Sequence, residues 1–372
     1  MHLTSSRPSR GPDGTRTGYR RRRTSRTLLT ALACLAALGC LAGLAIAELH
    51  RSPSRPAALS WPTARPSGTS TQAAGPGTAS QPKLGAVWWP ADGTSAADIS
   101  GYGVTDGPGA TRQVPIASVA KLMTAYVILR DHPLSANGSG PGITVESSEA
   151  AEYPSQVADG DSVVAVAAGE TITERQALAA LLLPSADNIA WILARWDAGS
   201  QDAFTAKMNA AARSLGMTGT NYTDPSGLDS STISTAADQV RLGAAAMHVP
   251  VIAAITAMPA AFVPVAGVVR NTNTLLRGRD CRPQDRQHAG GRGCLLVAAW
   301  QEVSGRSTLI VAAAFGQSGT AGTMLPHALQ VGHDLVLALH TAVGAGVRSG
   351  SRDDSEVSPQ GPPLIRGQRT QK

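Results

Sequence analysis

The pattern of apolar and polar residues in the long central part of the chain predicts a mixture of helices and strands. The apolar run at 85–89 is typical of a strand, and the mostly apolar stretch at 118–130 predicts a buried helix. Thr173 and Gln176 form a capping box at the start of the next helix, and Pro184 ends that helix. Further helices are predicted over 189–196, 202–215 and 236–247.

The last part of this region predicts a hairpin followed by a helix. Two apolar runs rich in β-branched residues, at 294–303 and 307–315, flank Ser304-Gly305, which is typical of a tight turn. A final helix is predicted over 325–343. This order of elements predicts an α+β domain over residues 84–343, with an antiparallel sheet packed between helices rather than a doubly wound parallel sheet.

The N-terminal region contains one long apolar segment preceded by basic residues. Residues 28–47 are almost wholly apolar, and a helix of that length spans about 30 Å, the thickness of a bilayer core. Because the basic stretch 20–26 precedes the segment, we expect residues 1–27 to be cytoplasmic and the domain to be extracytoplasmic, on a single-pass anchor in the cell membrane. Ala45-Ile46-Ala47 also fits a cleavage site, so secretion after signal cleavage near Ala47 is the alternative.

The segments on either side of the domain lack the apolar periodicity of folded elements. Residues 48–83 are rich in Pro, Ser, Thr, Gly and Ala, which predicts a flexible linker. Residues 344–372 are polar and charged, with Pro and Gly, which predicts a disordered tail.

Charge and cysteine content exclude several functional classes. The net charge of +6 is concentrated near the N-terminus, so nucleic acid is not an expected partner. The chain has no C-x-x-C or H-E-x-x-H spacing, and we predict neither a metal nor another cofactor. Cys281 and Cys294 lie outside the apolar N-terminal segment and could pair in an extracytoplasmic setting.

The strongest candidate for a catalytic site is Ser118 with Lys121, at the start of the predicted buried helix. Their spacing of three residues puts both side chains on one helix face. A serine in the first turn has free backbone N–H donors and the positive end of the helix dipole beside it. Burial lowers the pKa of a lysine, and a neutral lysine can accept the serine proton. The alternative is a capping serine beside a lysine that reaches solvent.

Four segments of the domain carry motifs that come in a fixed order. They are 115–125 around Ser118, then 169–173 with 181–190, then Asp224-Pro225-Ser226-Gly227-Leu228-Asp229, and finally 271–276. Together they resemble the D-alanyl-D-alanine carboxypeptidases, which are low-molecular-mass serine penicillin-binding proteins. The resemblance covers roughly residues 84–342 and implies a β-lactamase/transpeptidase-like fold.

The resemblance implies a role for each matching residue. Ser118 would be the acylated nucleophile, Lys121 its proton acceptor, and Ser185 a shuttle that passes the proton toward the leaving D-alanine. The second motif departs from the family because Asp187 replaces an Asn, which removes two amide donors. Either Asp187 or the following Asn188 would then contact the substrate. The implied partners are peptidoglycan stem peptides and, as covalent inhibitors, β-lactams.

The third motif of the family, Lys-Thr-Gly on a strand, is absent from this sequence. No lysine occurs between Lys207 and Lys372, and residues 279–293 contain Pro283, many charges and little β-branching, which makes them a poor strand sequence. By resemblance, this motif would bind the terminal carboxylate of the peptide. A chain translated as printed is therefore expected to hydrolyse D-Ala-D-Ala peptides poorly.

A local shift of the reading frame explains the missing motif. Read one base later, Gln284-Asp285 must give Lys or Arg, Asp285-Arg286 gives Thr or Ile, and Arg286-Gln287 can give Gly. The shifted frame therefore accommodates Lys-Thr-Gly, and a genuine loop insertion is the alternative.

Three functions are compatible with these observations. The first is an active serine-type D-Ala-D-Ala carboxypeptidase that acts through an acyl-Ser118 intermediate. The second is a catalytically inactive relative that binds the cell wall. The third is a β-lactamase, which ranks last because no dedicated deacylating Glu can be assigned.

Overall fold

The computed structural model describes residues 84–273, 293–303, 305–320 and 323–353. Several predictions lie outside these residues: the cytoplasmic N-terminus, the anchor at 28–47, the linker at 48–83, nearly all of the segment 279–293, and the tail after Asp353. They stay predictions.

An antiparallel sheet of four strands forms one part of the domain. Its strands are β1 (Thr94–Ile99), β2 (Gly103–Asp106), β9 (Gly293–Val303) and β10 (Arg306–Gln317), in the order β2-β1-β10-β9. Three two-stranded pairs accompany it: β3 (Val114–Pro115) with β6 (Ile233–Ser234), β4 (Gly142–Thr144) with β5 (Thr171–Thr173), and β7 (Ala260–Val263) with β8 (Gly267–Arg270).

Helices cover both faces of the four-stranded sheet. In chain order they are α1 (Ala120–Asp131), α2 (Ser147–Asp159), α3 (Glu174–Leu182), α4 (Asp187–Ala198), α5 (Gln201–Ser214), α6 (Ala236–Met247), α7 (Pro250–Thr256) and α8 (Met324–Asp353). Helix α6 contacts β1 and β10, and α8 contacts β9 and β10. The predicted α+β class, with an antiparallel sheet between helices, is confirmed.

The core has two parts because side chains of β10 alternate between the two faces of the sheet. Val311, Ala313 and Phe315 belong to the larger cluster, which also contains the buried apolar residues of α1, α3 and α4. Ile310 and Ala312 belong to a smaller cluster that includes residues of α8. The larger cluster fixes the position of α1 and α4, the two helices that carry the site described below.

Most of the predicted helices are confirmed, with small differences at their ends. The stretch from Ser118 begins in a short 3₁₀ turn, Ala117–Val119, and continues as α1. The capping box is present at α3, where the Gln176 N–H donates to Thr173 Oγ1 and the Thr173 N–H to Gln176 Oε1. The predicted hairpin corresponds to β9 and β10. The last helix extends to Asp353, ten residues into the predicted disordered tail.

The first predicted strand is wrong. Residues 84–90 form no regular element, and the strand lies instead at Thr94–Ile99. The apolar run contributes to the core in another way, because Val87 and Trp89 pack against the smaller cluster and the Gly85 N–H donates to the carbonyl of Ala342 in α8. The sequence pattern also did not predict α2, α7, β2 or the three two-stranded pairs.

Within the described ranges, no single helix has the length and apolar character needed to cross a membrane. Helices α6 and α7 are long and apolar enough only when taken together, and a bend of 102° separates them.

Candidate active site

Ser118 and Lys121 lie side by side at the start of α1. Ser118 is exposed and sits in the 3₁₀ turn, and Lys121 is buried in the first turn of the helix. The Lys121 Nζ atom lies 2.8 Å from Ser118 Oγ, which is a hydrogen-bond distance. The structure therefore joins an accessible hydroxyl to a buried amine, the arrangement that the spacing predicts.

The ammonium of Lys121 has three acceptors around it. Besides Ser118 Oγ, its Nζ lies 3.1 Å from the carbonyl oxygen of Ser226 and 2.7 Å from Oδ1 of Asp187. Burial lowers the pKa of Lys121, while the nearby carboxylate of Asp187 raises it. Burial is the larger effect, so the pKa lies below its ordinary value.

The loop 224–232 supplies the Ser226 carbonyl and is organised by the buried carboxylate of Asp224. Oδ2 of Asp224 accepts hydrogen bonds from the backbone N–H groups of Ser226, Gly227 and Leu228, at 3.1, 2.8 and 3.1 Å, and from the Ser226 hydroxyl at 2.5 Å. Oδ1 accepts from the Thr232 hydroxyl at 2.6 Å. The carboxylate thus fixes the loop against α1.

Gly227 lies very close to the backbone that carries the nucleophile. Its φ is +80°, and a Cβ atom on it would lie 1.8 Å from the carbonyl oxygen of Ala117. Ala117 itself has a positive φ of 47°. A side chain on residue 227 would therefore displace the turn that presents Ser118, which explains the need for glycine.

Asp187 is held between Lys121 and the segment that follows α2. Its Oδ1 meets Lys121 Nζ, while its Oδ2 accepts from the Ser162 N–H at 3.0 Å. The Asp187 N–H also donates to the Ser162 carbonyl at 2.6 Å. Sequence reasoning proposed a substrate contact for Asp187, but no periodicity predicts its ion pair with a residue 66 positions earlier.

Asn188 points to a different part of the protein. Its Nδ2 donates to the Val164 carbonyl at 2.8 Å, and its Oδ1 accepts from the Val164 N–H at 3.2 Å. The side chain is buried and both of its polar atoms bond to the backbone. This geometry gives Asn188 a structural role and does not support its predicted contact with a substrate.

Ser185 lies in the short connection between α3 and α4. It is half-buried and has a φ of 63°, a conformation that residues other than glycine seldom adopt. Such backbone strain often occurs at functional sites. Its predicted part in proton transfer stays a prediction.

The start of β9 lies next to the nucleophile turn. The Sγ atom of Cys294 is 3.6 Å from the carbonyl oxygen of Pro115, three residues before Ser118, and β9 contacts the 3₁₀ turn. The chain therefore enters β9 beside the candidate site. Residues 274–292, which include Cys281, lie outside the described residues, so the predicted pairing of Cys281 with Cys294 stays untested.

The fold and the Ser118–Lys121 pair define the class of this protein: a β-lactamase/transpeptidase-like domain with a Ser-x-x-Lys site. Residues 106–282 match the family model for D-alanyl-D-alanine carboxypeptidase, so the resemblance seen in the motifs is confirmed.

Individual relatives agree with this match. The chain is 38% identical over 178 residues to the D-alanyl-D-alanine carboxypeptidase DacB2 of Mycobacterium tuberculosis, covering 47% of this chain and 57% of the relative. It is 34% identical over 171 residues to a D-alanyl-D-alanine endopeptidase of Pseudomonas aeruginosa, covering 45% and 52% respectively. The chain thus spans about half the length of these curated relatives.

Solved structures show the same fold. The Streptomyces K15 DD-transpeptidase superposes with a TM-score of 0.56 at 22% identity, covering 68% of this chain and 100% of that one. Penicillin binding protein 6B from Escherichia coli gives a TM-score of 0.56 at 22% identity, covering 70% and 80%.

Proposed function

We propose that this chain is a serine-type D-Ala-D-Ala carboxypeptidase that removes the terminal D-alanine from peptidoglycan stem peptides. The observation that carries the proposal is the exposed Ser118 hydroxyl 2.8 Å from the buried Lys121 amine. A nucleophile within hydrogen-bond reach of its base is the signature of covalent catalysis. The match of residues 106–282 supports the substrate class.

In this mechanism, Ser118 Oγ attacks the carbonyl carbon of the penultimate D-alanine and neutral Lys121 takes the hydroxyl proton. The peptide C–N bond then breaks, and the proton passes to the leaving amine, with Ser185 proposed as the shuttle. Water next attacks the acyl-Ser118 ester and releases the shortened peptide as an acid, which regenerates the Ser118 hydroxyl.

Covalent labelling by a fluorescent penicillin tests this proposal. We expect the full chain to become labelled and the Ser118→Ala variant to remain unlabelled. Ser155→Ala is the matched control, because it removes another exposed hydroxyl from a helix without touching the site. Equal labelling of all three proteins would refute the assignment of Ser118.

Turnover of defined substrates separates the possible functions. Release of D-alanine from a pentapeptide supports a carboxypeptidase, whereas cleavage of cross-linked dimers supports an endopeptidase, the name that the Pseudomonas aeruginosa relative carries. Rapid loss of the label with hydrolysis of the drug supports a β-lactamase. Peptidoglycan binding without any label supports an inactive wall-binding relative, which the missing Lys-Thr-Gly motif favours.

The missing motif predicts a low rate for the chain as printed. Losing one positioned contact to the transition state typically lowers the rate on the order of 10²–10³-fold. A variant carrying the residues of the shifted frame, with Lys-Thr-Gly in place of 284–286, is expected to recover that factor. Equal steady-state turnover of the two proteins would contradict this expectation, and sequencing codons 277–294 tests the frame directly.

For localisation, we propose a single-pass membrane anchor at residues 28–47 with the domain on the extracytoplasmic side. The N-terminal sequence of protein recovered from washed membranes tests this proposal. A mature protein that begins near Glu48 and appears in the medium would favour the cleaved-signal alternative.

A further inference from the structure

The contacts of Lys121 identify a second role within the candidate site. We propose that Asp187 is a positioning residue that holds Lys121 in its protonated form and thereby sets the pH at which Ser118 becomes a nucleophile. The proposal rests on the proposed function, because it concerns the activation of the same serine.

The first line of support is the match between donors and acceptors. A protonated lysine has three N–H donors and no acceptor, and the acceptors around Nζ are Ser118 Oγ, the Ser226 carbonyl and Asp187 Oδ1. In this state Lys121 donates to Ser118 and cannot take its proton. Loss of one proton leaves two donors for Asp187 and Ser226 and a lone pair for the Ser118 hydroxyl. The lysine therefore switches from donor to base without moving.

The second line of support is the surroundings of Asp187 itself. Its two carboxylate oxygens accept from two different donors, Lys121 Nζ at 2.7 Å and the Ser162 N–H at 3.0 Å. An asparagine has only one acceptor oxygen. If the amide oxygen of the asparagine faced Lys121, the amide NH₂ group would face the Ser162 N–H. In the other orientation of the amide, the NH₂ group would face Lys121. In both orientations, one donor loses its partner, so the site fits a carboxylate.

The third line of support is the charge around Lys121. Its side chain is 3% exposed, and that of Asp187 is 5% exposed, so water screens their attraction very little. Asp224 in the loop 224–232 and Asp161 after α2 add weaker attraction from two other elements. Asp187 is the carboxylate in direct contact, and it partly offsets the effect of burial on the pKa of Lys121.

Lysine NMR measures this coupling without any substrate. The full chain contains four lysines, Lys83, Lys121, Lys207 and Lys372, so isotope labelling of lysine gives few signals, and Lys121→Arg identifies the Lys121 signal. In the unmodified chain, we expect Lys121 to be an ammonium at pH 7. In Asp187→Asn, we expect the pKa of Lys121 to fall, because the adjacent negative charge that favours the ammonium is lost.

The matched control is Asp197→Asn. Asp197 lies on the same helix, about 15 Å further along its axis, and its buried carboxylate contacts Lys207 at 2.7 Å. This variant is expected to change the titration of Lys207 and to leave that of Lys121 unchanged. Asp187→Glu keeps the negative charge and is expected to restore most of the Lys121 pKa.

The rate of penicillin acylation as a function of pH provides the second readout. The limb of the profile on which the rate rises with pH should move to lower pH in Asp187→Asn by the same amount as the Lys121 titration, and stay in place in Asp197→Asn. A Lys121 signal in Asp187→Asn within half a unit of the unmodified chain would overturn the proposal, as would a neutral Lys121 at pH 7 in the unmodified chain. The titration of Lys121 in the unmodified chain does not depend on the folding of any Asp187 variant. If penicillin fails to label the unmodified chain, the proposed function fails while the NMR titration still decides the role of Asp187.

Discussion

Replacing Gly227 by alanine should separate the position of the nucleophile from the stability of the fold. The new Cβ would lie 1.8 Å from the Ala117 carbonyl oxygen and 2.4 Å from its carbon. Non-bonded carbon and oxygen atoms need about 3 Å or more, so the turn 117–119 must move by more than 1 Å. Both clashing atoms belong to backbone, which cannot rotate away as a side chain could.

The expected loss of activity follows from that displacement. A misplacement of about 1 Å in an active site can lower the rate about 10²-fold, which corresponds to about 2.7 kcal/mol of activation free energy. The positive φ of residue 227 adds about 1–2 kcal/mol of strain for an alanine in the folded state. We therefore expect Gly227→Ala to acylate about 10²-fold more slowly than the unmodified chain.

Gly199→Ala provides the control for backbone strain alone. Gly199 has a φ of +78° at the end of α4, and a Cβ on it would meet no atom within 4 Å. Gly199→Ala should lose stability from the φ strain alone, measured by urea unfolding, and keep its labelling by fluorescent penicillin. Gly227→Ala should lose at least as much stability and also lose labelling. If the two variants acylate within twofold of each other, contact of residue 227 with Ala117 does not control the nucleophile.

Two further changes test buried carboxylates. The first is Glu174→Gln at the start of α3. The Glu174 side chain is 1% exposed, and burial raises its pKa to about 7. Because the folded state raises this pKa, Glu174 makes a contribution to the free energy of unfolding that is fully present below about pH 4.5. This contribution is lost as pH rises through 7, by up to about 3 kcal/mol. In Glu174→Gln, this decrease between pH 5 and 8 should disappear from urea unfolding curves, and an unchanged decrease would exclude Glu174 as its source. The second is Asp224→Asn, which weakens the acceptor of five hydrogen bonds and should lower the free energy of unfolding by about 1–3 kcal/mol. This variant should also acylate more slowly, because the Ser226 carbonyl would no longer be fixed beside Lys121. Asp229→Asn is its control in the same loop, because exposed Asp229 bonds to Ser231 and Thr223 rather than to the 226–228 backbone. Equal effects of the two variants would contradict this reasoning.

The sequence predicts the part of the site whose residues lie close together along the chain. Ser118 and Lys121 are three residues apart, so helical periodicity alone brings them together. The contacts of Lys121 with Asp187 and Ser226, and of Gly227 with Ala117, join residues more than sixty positions apart. Those distances depend on how α1, α4 and the loop 224–232 pack, which periodicity does not specify.

The same distinction explains the error at the first strand. The sequence Thr-Ser-Ala-Ala-Asp-Ile of β1 contains few residues that favour strands. It is a strand because it lies between β2 and β10, and Ala96 and Ala97 are fully buried on opposite faces of the sheet, where the helices leave room for small side chains. The more hydrophobic 85–89 run was the better local candidate but packs against the smaller core cluster instead.

The position of β9 limits where the sequence departs from the family. From Cys294 onward, side chains alternate correctly: Cys294, Leu296 and Ala298 pack on the larger core cluster, and Val297 and Ala299 on the smaller one. A shift of β9 by one residue would exchange its two faces, so that each side chain would meet the core cluster on the opposite side of the sheet. The strand is therefore in continuous register with β10 from Leu295 to Val303, and the register shifts by one residue before Gly293 pairs with Gln317. The family match runs to residue 282 and β9 begins at Gly293, which agrees with the proposed disturbance of the reading frame between them.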